Sequence, residues 1–531
     1  MSLQNCYGYI YGDQNRQVPV HLNFGKYMLE RLRQMGDKVA LVNAMTGEEL
    51  TYRNFAQYSV NLATSLSKLG IGKGDVVAIG SEECNVLVPT ILSIILTGAT
   101  CTPYELPSGK AVLRHKLSLA KPTHFICSKL FWDQYETVLA SCDSIQFYIT
   151  LNDGPPNAIT TQSLISKDVD IESYEPAKVL GQVDVAYILY SSGTTGLQKG
   201  IRITHLNCIV NSLPDKFFNE SIQTVFMFGK WYHNYDNFFF YKYLSIGKKV
   251  VYVADKKIYK VLECIEKYQV DIAMLIPFLI NLMIKEESLE KYNLDSLKFI
   301  YSRGSLLHTK TIEKIKQRLP KLQNVLQGYG MTECGEPASD IWATEGPRPG
   351  STGMAAAGVI FKIIDLETNM KLGPNQTGEI RVTGPMFMKE YIEVDPSSYL
   401  DEEGFFKTGD VGYYDEANYL YIVDRLHEVI VHRDHKIAPL ELEILLEMHE
   451  KVLEAAVVGK PVPDLGELPT AFVVKKSGFD VTEQELINYV AAEMPPFMHL
   501  HGGVKFVDEL PRSDRGKILR GLLRKMLNQL F

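Results

Sequence analysis

From Lys38 onward, short apolar runs rich in β-branched residues alternate with stretches whose apolar positions recur at the helical period. Residues 76–80, 123–127, 249–254, 271–277, 297–301 and 324–326 read as buried strands, and 85–97, 259–268 and 311–318 as helices. Short runs that are apolar throughout suit strands covered on both faces. Their alternation with helices predicts a mostly parallel, helix-covered α/β sheet. Ligands of such sheets collect at the carboxyl ends of the strands. Between about 350 and 423 the pattern changes. Residues 359–365, 378–383 and 419–424 are short strands separated by Gly, Pro and Asn turns, which predicts a smaller antiparallel barrel or sheet. After Asp424, helices at 439–449 and 483–493 and strands at 452–459 and 471–475 make a compact α+β pattern. The expected organisation is an N-terminal domain over 1–424, with the antiparallel part as its last ~75 residues, and a small C-terminal domain over 425–531.

The longest apolar stretch, 86–96, contains Pro89 and is shorter than the ~20 residues a membrane span needs. The first eighteen residues lack the apolar core of a signal peptide, and the chain ends Asn-Gln-Leu-Phe rather than in a Ser-Lys-Leu address. A cytoplasmic protein is therefore expected. Its 531 residues carry 55 basic and 63 acidic side chains, a formal net charge of −8. An acidic chain without a basic run is poorly suited to nucleic acid or an anionic membrane, so any anionic ligand must be attracted by local groups. The eight cysteines, at 6, 84, 101, 127, 142, 208, 264 and 334, form no Cys-x-x-Cys pair and no zinc-ligand spacing with histidine. Free thiols are expected.

The chemistry concentrates in a few strings. Tyr190-Ser-Ser-Gly-Thr-Thr-Gly-Leu-Gln-Lys-Gly200 follows the apolar run 186–189. Gly193 and Gly196 let the backbone bend around an anion. The hydroxyls of Ser191, Ser192, Thr194 and Thr195 can donate to phosphate oxygens, and Lys199 adds a positive charge. Gln198 stands where a Walker A loop requires glycine. Gln327-Gly328-Tyr329-Gly330-Met331-Thr332-Glu333 reads as a glycine-rich turn that offers a flat aromatic face and a carboxylate, the ligand magnesium prefers beside phosphates. Asp410, after Lys407-Thr408-Gly409, can accept two hydroxyls at once.

Together these strings resemble the adenylate-forming superfamily of acyl-CoA synthetases, peptide-synthetase adenylation domains and insect luciferases. The resemblance covers nearly the whole chain and lies nearest the insect luciferases and luciferase-like acyl-CoA ligases. It implies ATP and Mg2+ as cofactors, a mobile C-terminal lid, and a small carboxylic acid as substrate, either luciferin-like or a fatty or aromatic acid. It also implies residue roles. The loop Ser191–Lys199 holds phosphate, Gly304 and Tyr329 flank adenine, Asp410 and Arg425 reach the ribose, Thr332 reaches the α-phosphate, and Glu333 holds magnesium. Asp424 is the hinge. Lys517, in Pro511-Arg-Ser-Asp-Arg-Gly-Lys517, bridges the carboxylate and the α-phosphate. His233, in Trp231-Tyr-His-Asn-Tyr235, together with Asn211, Arg303 and Gly330, lines the acid pocket. A monomer is expected.

Several positions depart from the family's pattern. Val431 stands where thioester-forming relatives carry lysine, and Asp434 where they carry the glycine that admits the pantetheine arm. A side chain there adds volume, and a carboxylate opposes anionic coenzyme A. Arg303 replaces one of two usual glycines, and Asn211 replaces the arginine of beetle luciferases. These departures favour a luciferase-type second step that uses molecular oxygen. The alternatives are an acyl-CoA ligase that uses CoA, and an inactive relative that only binds acyl ligands. Intact Lys199, Thr195, Glu333 and Lys517 argue against the last.

Overall fold

The structure, a computed structural model, describes residues 8–151, 159–165, 168–191, 198–213, 221–255, 257–286, 288–303, 307, 309–342, 345–425, 430–433, 435–437, 439–447, 449–462, 465–476, 478–511, 518 and 520–528. The chain divides into two compact units. One comprises Met1–Leu106, Leu117–Tyr190 and Gly200–Asp424, and the other Pro107–Lys116, Ser191–Lys199 and Arg425–Phe531.

The first unit holds two large sheets. In one, Lys199–Thr204, Val185–Ser191, Thr100–Tyr104, Val76–Gly80, His124–Cys127 and Phe147–Thr150 are successive neighbours, with Glu390–Tyr391 and Ile159–Thr160 at its edges. Its central pairings are parallel, for example Val76 against Thr100 and Val77 against His124. In the other sheet, Asn324–Met331, Phe299–Ser302, Ile272–Leu275, Thr224–Met227, Lys249–Tyr252 and Val39–Asn43 are neighbours and pair in parallel. The strands are buried on both faces, as their unbroken apolar runs require. Helix Leu87–Leu96, apolar all round, is buried at every residue within a core that draws on both sheets. Pro89 is accommodated because it falls in the first turn, where its missing N–H has no intrahelical partner to lose.

Two boundaries differ from expectation. The strand read at 271–277 ends at Leu275, and Pro277 opens helix Pro277–Lys285. Proline's fixed φ is preorganised for a first helical position. The strand read at 324–326 runs on through Gly328-Tyr329-Gly330 to Met331 and pairs antiparallel with Gly335–Ser339. The stretch 327–331 is therefore strand, and the turn is confined to 332–334. Its glycines are required by close approach: a Cβ on Gly328 would lie 2.4 Å from the Tyr301 hydroxyl, and one on Gly330 2.4 Å from the Gly335 carbonyl oxygen.

The smaller antiparallel sheet follows the order Ile360–Ile364, Gly378–Thr383, Phe406–Tyr414, Leu420–Arg425. Ile10–Tyr11, from the start of the chain, adds an edge strand that the local pattern does not announce. Phe361, Ile363, Ile380 and Val382 face one core. The alternate positions carry a buried ion cluster in which Lys362 contacts Asp401 at 2.7 Å and Arg381 contacts Asp401 at 3.3 Å.

In the second unit, Val452–Val462 and Gly466–Lys475 form a long antiparallel pair, extended by Ile430–His432, His435–Ile437 and Val504–Phe506. The period of two puts Ala455, Val457 and Val473 on one face with helices Pro439–Glu447 and Glu483–Glu493. It puts Ala456, Val458 and Phe472 on the other with helix Arg520–Asn528. Among the described residues, no helix is long and apolar enough to cross a membrane.

Candidate functional site

The strand Val185–Ser191 delivers Ser191, buried, at its carboxyl end, and the neighbouring strand Lys199–Thr204 begins with the half-buried Lys199. Ser192, Gly193, Thr194, Thr195 and Gly196 lie outside the described residues, as do Gly304, Lys517 and Asp434. The backbones of Asp424 and Arg425 end the last strand of the antiparallel sheet. On leaving the loop, the Gln198 carbonyl is met by His115 Nε2 at 2.8 Å.

The two best-defined motifs converge. Tyr329, on the strand from the second parallel sheet, donates its hydroxyl to Asp410 Oδ2 at 2.6 Å, across 81 residues of sequence. Burial and then the Asp410 charge push the Tyr329 hydroxyl well above the usual phenol range, so it stays a donor at neutral pH. Asp410 is set by its own turn: the Thr408 hydroxyl donates to the Ile380 carbonyl at 2.6 Å and accepts from the Asp410 amide at 3.0 Å. Glu333 is buried next to this strand, and its Oε1 accepts from the Tyr391 hydroxyl at 2.6 Å. Burial and the Glu333 charge hold that hydroxyl protonated as well. The Glu333 carboxylate is one oxygen ligand of the kind magnesium takes, and among the described residues no group of three or more acidic, His or Cys side chains is placed to hold a metal ion.

Helix Asn234–Ser245 ties the aromatic segment to the same motif. The Asn234 amide nitrogen donates to the Thr332 carbonyl at 2.7 Å and approaches the Met331 carbonyl at 3.4 Å. This places His233, at the start of the helix, near Thr332. The His233 side chain is exposed, with its ring 4.6 Å from the Tyr232 ring between centroids.

Next to the motif strand, a small cleft of about 20 Å3, room for about one water, is walled by Asn211, Asn234, Tyr235, Phe239, Lys242 and Glu336, among others. Asn211 closes it against Gly335: a Cβ on Gly335 would lie 1.9 Å from Asn211 Oδ1, and the backbone there has φ +66°. Both conditions call for glycine. Arg303 does not reach the cleft. Its guanidinium pairs with the buried Asp236 and lies 4.0 Å from the centroid of the Tyr235 ring, behind the wall. The sequence reading passed over Asp236, Tyr301, Glu336 and Tyr391. Glu336 accepts from the buried Tyr301 hydroxyl, which lies 2.6 Å from Ser339 Oγ. A charge within the otherwise small and uncharged Gly335-Glu-Pro-Ala-Ser339 was the available signal for Glu336. Nothing local marks Tyr301.

The sequence pattern of the AMP-binding enzyme family matches residues 29–392, and that of the AMP-binding enzyme C-terminal domain matches residues 441–517. The chain is 32% identical to luciferin 4-monooxygenase of Photuris pensylvanica over 95% of its own length and 94% of that protein's. It is 33% identical to 4-coumarate–CoA ligase 3 of Arabidopsis thaliana over 96% and 92% respectively. Among solved structures, the amide bond synthetase McbA of Marinactinospora thermotolerans shares the fold with a TM-score of 0.83 at 21% identity, covering 95% of this chain and 99% of that one.

Proposed function

The chain belongs to the adenylate-forming AMP-binding enzyme family, and from that premise we propose that it converts a small carboxylic acid and ATP to acyl-AMP and pyrophosphate, then oxidises the adenylate with molecular oxygen and emission of light. The observation that supports the first half is the Tyr329–Asp410 contact, which brings two distant motifs together. In this reading adenine lies by Tyr329 and Gly304, the ribose hydroxyls meet Asp410 and Arg425, and phosphates rest on the loop from Ser191 to Lys199. Glu333 would hold magnesium, which when bound neutralises phosphate charge. A carboxylate oxygen attacks the α-phosphorus and pyrophosphate leaves. The Thr332 hydroxyl and the Lys517 ammonium meet the charge that builds on the five-coordinate phosphorus.

For the second half, the phosphate anhydride acidifies the α-hydrogen and His233 takes that proton. The carbanion meets oxygen. One oxygen atom ends in the carbonyl product and the other in carbon dioxide, and AMP departs. Support for oxidation over thioester formation lies in the sequence of the segment that would admit coenzyme A: Val431 replaces the lysine and Asp434 the glycine. Thioester formation is the second reading, favoured by the likeness to a CoA ligase at similar identity.

ATP–pyrophosphate exchange over a panel of acids tests the first half. Pre-formed adenylates supplied with CoA, under nitrogen and under air, test the second. Oxygen uptake, carbon dioxide and light are expected. Rapid thioester formation under nitrogen, with no oxygen-dependent product, would leave an acyl-CoA ligase.

A further inference from the structure

A loop made of glycine and small hydroxyl residues has few bulky side chains to fix its shape, so the shape depends on how its two ends are held. At the entry to the loop from Ser191 to Lys199, strand Val185–Ser191 is tied down by Tyr190. The Tyr190 hydroxyl lies 3.0 Å from the Thr102 hydroxyl and 3.1 Å from that of Tyr104, both on the neighbouring strand Thr100–Tyr104. At the exit the anchor is His115, half-buried on helix Lys110–Ala120. Leu113 and Leu117, buried on either side of it, pin that helix to the core. His115 Nε2 meets the Gln198 carbonyl oxygen at 2.8 Å. A carbonyl oxygen can only accept, so Nε2 carries the proton and donates. The peptide that follows Gln198 is planar and trans, so turning its oxygen toward the helix turns the Lys199 N–H to the opposite side. A carbonyl held in this way cannot swing its negative end toward a phosphate. Between Pro107 and Ala120 the chain carries Lys110, Arg114 and Lys116 and no acid, so the element that holds the loop is itself favourable to an anion in a chain of net charge −8.

We infer that His115 is a positioning residue for the β- and γ-phosphates of ATP: by holding the Gln198 carbonyl it sets the exit of the loop on which those phosphates rest. The inference rests on the adenylation reading above. His115 acts through the loop backbone, on a rigid helix, which is the arrangement that keeps a binding loop in its productive shape before the ligand arrives. Its effect should therefore follow the number of phosphates and spare adenine, ribose and the acid.

The test uses the full chain and calorimetric titration with ATP plus magnesium and, separately, with AMP, neither of which needs the acid to be known. His115→Phe removes the donor and keeps an aromatic ring. We expect it to weaken ATP by roughly three- to tenfold in Kd, the loss of one hydrogen bond, and to leave AMP unchanged, since AMP has no β- or γ-phosphate. His115→Gln, which keeps an N–H donor, should recover most of the ATP affinity. In pyrophosphate exchange the KM values for ATP and pyrophosphate should rise in His115→Phe while the KM for the acid stays. Thermal unfolding shows which variants are folded, and His115→Ala takes the place of His115→Phe if the latter is not. ATP affinity unchanged without the donor, AMP weakened as much as ATP, or no recovery with glutamine overturns the inference and leaves adenylation standing. A wild-type chain that binds neither ATP nor AMP overturns both.

Discussion

On the proposed nucleotide side of the site, Tyr329, Asp410 and Glu333 come from two short strings of sequence, and hydrogen bonds of 2.6 Å hold Tyr329 to Asp410 and Tyr391 to Glu333. On the proposed acid side, Asp236, Arg303, Tyr235, Glu336 and Tyr301 come from three separate elements and hold one another through buried charges and stacked rings. The first arrangement relies on single contacts between groups that the proposed reading gives to the nucleotide. The second relies on mutual pairing, in which no member is comfortable without its partner. Substitutions on the two sides should therefore fail differently, one in rate and the other in stability.

The largest effect should come from breaking the acid-side pair. Arg303→Ala would leave Asp236, whose side chain is 2% exposed, as an unpaired buried charge. We expect a loss of about 3–5 kcal/mol in urea unfolding. Replacing both partners by leucine should restore most of it, since an apolar pair carries no desolvation penalty. If the single and double variants are equally unstable, packing and not charge holds this wall.

Lys517→Ala should act on the other side, costing about 2.7–4 kcal/mol in the adenylation barrier, or roughly a hundred- to a thousandfold in rate. ATP affinity and unfolding midpoint should barely move. Single-turnover acyl-AMP formation at the wild-type rate would remove Lys517 from the reaction.

Asp340 offers a pH test of the acid-side network. Burial pushes its carboxyl from 3.8 up to about 7, against the Gln327 amide that donates to Oδ2 at 2.8 Å. A raised carboxyl favours the folded state fully below pH 3.8, and that contribution is lost as pH rises toward about 7. Asp340→Asn, which keeps the acceptor and drops the charge, should be more stable than wild type at pH 8 by a few kcal/mol, with the gap closing near pH 4. Parallel melting curves across that range would show that the carboxyl does not titrate with folding.

The smallest effect belongs to Tyr329→Phe. It removes one donor to Asp410 while keeping the aromatic face, and should weaken ATP binding by about 1 kcal/mol, roughly fivefold in Kd. A loss a hundred times larger would mean that the hydroxyl, and not the ring, is the main contact.

Several features were legible in the sequence because they depend on neighbours along the chain. Unbroken apolar runs marked the parallel strands, the change to short strands between turns marked the antiparallel part, and glycine- and hydroxyl-rich strings marked the family. What periodicity could not supply was which strand lies beside which. Ile10–Tyr11 joins a sheet whose next member begins at Ile360, and two residues carry too little pattern to announce it. The glycines around Tyr329 read as a turn because glycine is the usual turn residue. Their real cause, the Tyr301 hydroxyl and the Gly335 carbonyl pressing from neighbouring strands, exists only once the sheet is assembled. The direction of Arg303 was not legible for the same reason: its size and charge are local facts, whereas it is turned by Asp236 on a distant helix. The sequence by itself determined the family, the layers and the nucleotide motifs, since short-range spacing encodes them. The tertiary structure decided how the side chains around the cleft are paired, because a buried charge takes its meaning from the partner that long-range packing brings to it.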